Sequence, residues 1–189
     1  MSHSPLSRDG RVDAAGESSN GDSRSNDDGK PDSAESRIRV GVGELAVATD
    51  GEQLTTSGLG SCVAVALTDK RAGVRGLLHA MLPTNDGTSR PTARSGKYVD
   101  SGIDALVTEL REAGATPTRL EARIAGGAEM LDLTDAVGPR NVKRVERRLE
   151  TAGIPIVGSD VGDSVGRTVR FRADSRLAVR AADGFERQL

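Results

Sequence analysis

"SCVAVALTDKRAGVRGLLHAML", residues 61–82, decides the fold of this chain. Two runs of small and branched apolar residues flank "DKRAG", whose charges and glycine mark a turn, so the runs read as a β-hairpin. With Lys70 and Arg71 at the tip, Val63 opposes Leu78, Val65 opposes Gly76 and Leu67 opposes Val74. One face then gathers branched residues for a core. The other carries Ala64, Ala66 and Leu77, and at its open end sets Cys62 against His79. Directly opposed residues have Cβ atoms roughly 4.5–5.5 Å apart. A slip of one residue would send the two to opposite faces.

Cys62 is the single cysteine of 189 residues, and the other histidine of the two is His3. One cysteine closes no intramolecular disulfide, and Cys62 with two histidines builds no conventional zinc site. The net charge of −2 and an aromatic content of 2% argue against a nucleic-acid partner. Apolar runs are far too short for a spanning helix of roughly 20 residues. The first residues lack the apolar h-region of a secretory signal, so no secretory leader is expected. A cytoplasmic location is expected.

Residues 1–36 are rich in Ser, Asp, Gly and Asn and hold almost nothing to bury, so a disordered polar, acidic tail is expected, followed by one domain over 37–189. "IRVGVGELAVA" reads as one strand, bent at Gly41 or Gly43. "TNDGTSRPTARSG", residues 84–96, reads as a long polar loop. Val99, Ile103, Leu106, Val107 and Leu110 recur at helical spacing, with Gly114 as the stop. "GPRNVKRVERRLETAG" is a second amphipathic helix, with Pro139 in its first turn and Gly153 beyond its end. "TRLEARIAGGAEM" is a strand running into a double glycine. "IPIVGSD", "TVRFRAD" and "RLAVRAA" are closing strands, the last two joined at Asp174-Ser175. Many short strands in hairpins with two main helices favour an α+β layered domain with a hairpin-rich mixed sheet over a doubly wound one.

Two readings of Cys62 stand side by side. It is a small buried hydrophobe at a strand end, or a nucleophile beside an imidazole. His79 is correspondingly a core histidine or its base. The second reading expects a neighbouring imidazolium to lower the thiol pKa from about 8.5. Gly58 and Gly60 would clear the approach to the sulfur, with backbone N–H groups as an oxyanion hole. Thr55, Thr56 and Ser57 all offer hydroxyls that could orient the ring. The double glycine lets two backbones approach or turns the chain near the site, and "KRVERRLE" reads as a solvated helix face with favourable charge pairs.

"TSGLGSC" at 56–62, followed by "HAMLP" at 79–83, resembles the CheD family of chemoreceptor glutamine deamidases. "GVGELAV" at 41–47, "GKYVD" at 96–100, "EARIAGGAEM" at 121–130, "GPRNV" at 138–142 and "GRTVRF" at 166–171 extend the resemblance over residues 38–180. It implies an α/β/β sandwich with a CheD-like cysteine hydrolase fold, related in outline to deamidating bacterial toxins. It also implies deamidation of receptor glutamines, with some methylesterase activity on glutamate esters. By position, the nucleophile falls on Cys62, the histidine on His79 and the third catalytic residue on Thr56. No metal or organic cofactor is implied. The implied partners are the cytoplasmic helices of chemotaxis receptors and a CheC-type phosphatase. Ser57 departs from the apolar residue often found there. The alternatives are a non-enzymatic receptor- or CheC-binding adaptor and a hydrolase of a small amide or ester.

Overall fold

The computed structural model describes residues 36–85, 95–129 and 136–189. In chain order these form β1 (Arg37–Arg39), β2 (Leu45–Ala48), β3 (Gln53–Leu59), β4 (Val63–Asp69), β5 (Val74–Ala80), α1 (Val99–Glu112), β6 (Glu121–Gly126), α2 (Val137–Thr151), β7 (Ile156–Val161), β8 (Arg167–Phe171), β9 (Leu177–Ala181) and β10 (Glu186–Gln188). The expected tail lies outside the described residues except for Ser36, and so does most of the loop expected over 84–96.

The strands make two five-stranded sheets, ordered β2-β5-β4-β6-β7 and β1-β3-β8-β9-β10. Both are mixed, since β6–β7 and β1–β3 run parallel within otherwise antiparallel sheets. β4 and β5 are buried along their whole length, because both faces of their sheet are covered. One face presents Val63, Val65, Leu67 and Leu78 to Ile103, Leu106 and Leu110 of α1 and Val145 and Leu149 of α2. The other presents Ala64, Ala66, Leu77 and Ala125 to Leu54, Leu59, Val169, Phe171 and Leu177 of the second sheet. The layers are therefore α/β/β. Small side chains on one sheet receive large ones from the other.

The β4–β5 hairpin keeps the expected faces but not the expected register. Val63 pairs with Ala80, Ala64 with His79 and Asp69 with Val74, two residues further than a two-residue tip would give. The cause is Asp69. Its Oδ1 accepts the N–H groups of Arg71 and Ala72, which winds Lys70 to Gly73 into a four-residue loop. A slip of two leaves every side chain on its own face.

Other expectations change at the sheet boundary. Residues 38–48 are two strands: the chain turns at Gly41–Gly43, leaving β1 in one sheet and entering β2 in the other. β3 and β10 occupy segments not expected to be strands. Both helices lie where the periodicity put them, and each ends in a Schellman turn, with Ala115 N–H on the Leu110 carbonyl and Ile154 N–H on that of Leu149. The basic face of α2 is not merely solvated. Arg144 binds Asp100 of α1 through Nε at 2.6 Å, and Arg148 binds Asp104 one turn on.

Asp69 also anchors the layer contacts. It is fully buried, accepts from Thr116 N–H at 2.9 Å and from Arg119 Nη2 at 2.7 Å, and is held at a pKa of about 2, chiefly by the Arg119 hydrogen bond. Asp69→Ala leaves the loop and Arg119 without their acceptor. Urea unfolding should show a loss of about 2–3 kcal/mol, discounted because Arg119 is partly exposed. In the wild type this contribution is complete above pH ~4 and is lost as pH falls towards 2.

Candidate active site

The gap between the sheets is apolar in its middle and polar at its ends. At one end Arg75 is fully buried on β5, donating to the carbonyls of Glu52, at 2.9 Å, and of Asp50. Nearby Thr68 Oγ1 meets Ser175 Oγ at 3.1 Å. The other end holds Thr56, His79 and Cys62.

β3 brings Thr56 there. Leu54 and Thr56 point into the gap, while Ser57 is exposed on the outer face. Strict alternation would then turn Leu59 outward. A bulge between Ser57 and Leu59 against β8, with Gly58 at φ +77°, restores Leu59 to the core. That φ favours glycine, so one glycine lets the strand finish and the chain cross to the other sheet through residues 60–62.

His79 lies on β5 opposite Ala64, facing the gap from the helix-covered sheet, across from β3. It is fully buried, and its Nδ1 lies 2.8 Å from Thr56 Oγ1, a hydrogen bond linking the two sheets. Its other nitrogen, Nε2, is also buried and has no hydrogen-bond partner among the described residues. Burial disfavours the imidazolium and lowers the pKa from 6.5 to about 4. The ring is therefore neutral at neutral pH. With its proton on Nδ1 and donated to Thr56, Nε2 carries a free lone pair able to accept a proton.

Cys62 is half-buried at the corner where the chain enters β4, packed against the inter-sheet core. It precedes Ala64, the strand partner of His79, by two residues, and it packs against the same inter-sheet cluster as Ala64, so it is not directly opposite His79. Burial pushes its thiol pKa upward. The expected thiolate–imidazolium pair is thus overturned: desolvation penalises both ions, and the resting groups are a neutral thiol and a neutral imidazole.

The corner is held by the double glycine at the end of β6. Gly127 N–H donates to the Cys62 carbonyl at 2.7 Å, and Ala128 N–H donates to that of Gly60 at 2.8 Å. A Cβ on Gly126 would strike the Cys62 carbonyl oxygen, so this contact of two backbones needs glycine. Asn141, fully buried on α2, adds its amide hydrogens to the carbonyls of Ser61 and Met81. Sequence reasoning passed over Asn141. The signal was its place on the buried stripe of Asn141, Val145 and Leu149, where a polar residue calls for a reason.

Two stacked sheets, a histidine sealed between them on a threonine hydroxyl, and a cysteine at the crossing define a cysteine-bearing α/β/β sandwich protein. The chain belongs to the CheD family: the model described as CheD chemotactic sensory transduction matches residues 81–181. A probable chemoreceptor glutamine deamidase CheD of Haloarcula marismortui is 43% identical over 142 residues, covering 74% of this chain and 81% of the relative. The chemoreceptor glutamine deamidase CheD of Bacillus licheniformis is 41% identical, covering 76% and 89%. That of Thermotoga maritima is 40% identical, covering 78% and 93%. No helix of the described residues is long and apolar enough to cross a membrane.

Proposed function

We propose that residues 37–189 form a protein-glutamine deamidase that converts glutamines of chemotaxis receptors to glutamate in the cytoplasm, through a thioester at Cys62. The supporting observation is the neutral, buried His79, oriented by Thr56 on the strand paired with the one that the half-buried Cys62 leads into, in a chain about 40% identical to relatives named for this reaction. The His79 imidazole takes the thiol proton as the sulfur attacks the side-chain carbonyl carbon of glutamine. Backbone N–H groups of the Cys62 turn stabilise the oxyanion. Collapse breaks the C–N bond, and His79 returns the proton to the departing ammonia. Water, deprotonated by the same ring, then opens the thioester, giving glutamate and restoring the thiol. Thr56 keeps the ring in its working tautomer.

The same steps with methanol as leaving group give methylesterase activity on glutamate esters. The reading requires no metal or organic cofactor. A CheC-type phosphatase is the expected regulatory partner. Incubation with cytoplasmic fragments of a chemoreceptor, followed by peptide mass spectrometry, should show glutamine turning to glutamate at discrete sites. If the folded protein binds the fragment but leaves every glutamine intact, the adaptor reading takes its place.

The Thr56 role has its own test. Thr56→Val keeps the shape of the side chain and deprives Nδ1 of its partner. Turnover should fall about 10–100-fold, and stability by about 1–2 kcal/mol for the unsatisfied buried nitrogen. Rates and urea midpoints measured on one preparation check both. A wild-type rate would remove Thr56 from the site.

A further inference from the structure

We propose that Asn141 is a positioning residue: a clamp that fixes the Cys62 turn relative to the strand that carries His79. The proposal rests on the deamidase reading for its catalytic consequence. Asn141 donates to Ser61, the residue before Cys62, at 2.8 Å and to Met81, two residues beyond His79, at 3.0 Å. A single amide group thus joins the two chain ends whose separation sets the distance between thiol and imidazole. Its orientation is determined, because a flipped amide would set its oxygen against two carbonyl oxygens.

The clamp sits on a rigid support. Asn141 is fully buried in α2, beyond which Val145 and Leu149 continue the stripe into the helix-side core. One turn earlier, Gly138 lies so close to the Gly127 and Ala128 carbonyls that a Cβ there would collide with both. Val142 packs against Gly127, whose N–H holds the Cys62 carbonyl. The N-terminal half of α2 therefore reaches the Cys62 corner by two routes: directly through Asn141, and through the double glycine. An active-site displacement of about 1 Å can cost on the order of 100-fold in rate, so losing the direct route should act on turnover.

Asn141→Ala and the milder Asn141→Ser, which keeps one donor, test this in the full chain. Two readouts are taken: kcat and KM on a chemoreceptor cytoplasmic fragment, normalised to folded protein, and amide hydrogen exchange of Gly127 and Ala128. For the alanine variant, kcat should fall about 10–100-fold with KM within about twofold. The two amides should exchange at least about 10-fold faster while the β4 and β5 amides stay protected. The serine variant should fall between, and it carries the test if the alanine variant does not fold. Unchanged exchange, or a rate loss fully explained by the unfolded fraction, overturns the clamp. If the wild type proves inactive, the deamidase reading fails while the exchange comparison still decides whether Asn141 fixes the turn.

Discussion

Conversion of receptor glutamine to glutamate is expected to fall at least about 10⁴-fold when Cys62 is replaced by Ala, the scale on which removal of a covalent nucleophile acts. The fold should survive. The Cys62 corner is held through its backbone carbonyl by Gly127, and by Asn141 through the neighbouring Ser61 carbonyl, none of which involves the sulfur. Since the side chain is only half-buried, its loss should cost no more than about 1 kcal/mol. Conversion persisting in Cys62→Ala at more than a trace would remove the thioester from the reaction. Alkylation adds a second measurement. Because burial raises the thiol pKa, the alkylation rate of the folded protein should still be climbing beyond pH 8.5. An inflection near pH 6–7 would reveal instead a preformed thiolate.

That difference in charge state bears on mechanism. A thiolate–imidazolium pair stores its nucleophile ionised before substrate arrives. Two neutral groups beside an apolar gap instead call for the proton to move as the sulfur attacks, so the base must be correctly placed at that moment. Such a site relies more on geometry than on ionisation. The fixed Thr56–His79 bond and the anchored Cys62 turn suit that demand. A neutral thiol is also less exposed to adventitious oxidation, which proceeds through the thiolate.

Much of this arrangement is legible in the residues, and each gap has a physical cause. Helix periodicity located α1 and α2 because both bury a single stripe against a sheet. Alternation along residues 61–82 put Cys62 and His79 on one face, and the two-residue error in register preserved that face. The error came from Asp69, whose carboxylate turns a tight tip into a wider loop, a contact that spacing does not reveal. β3 escaped notice since "TTSGLG" has turn composition. Its strand character comes from pairing with β8 and β1, and Gly58 serves a bulge inside it rather than an end. Among three adjacent hydroxyls only the inward one can reach the ring, and inward became definable only with β3 in place. The charge state was out of reach, because desolvation belongs to the assembled layers.

Replacing His79 by Gln should lower turnover about 10²–10⁴-fold, the range expected for a positioned general base. The same substitution should change how stability depends on acid. The unfolded chain protonates His79 near pH 6.5, whereas the folded chain resists until about pH 4. Between those values the unfolded state binds more protons, so stability rises with pH across the window. The contribution is therefore complete above pH ~6.5 and is lost as pH falls through about 4, amounting to roughly 3 kcal/mol. Urea midpoints of the wild type should drop across that window, and those of His79→Gln should lack this component. The acid limb of the wild-type rate should have its midpoint near pH 4, since below it Nε2 is protonated and can no longer take the thiol proton. A midpoint near 6.5 would mean that the imidazole is solvated in the working enzyme, and the buried surroundings of His79 would have to open during turnover.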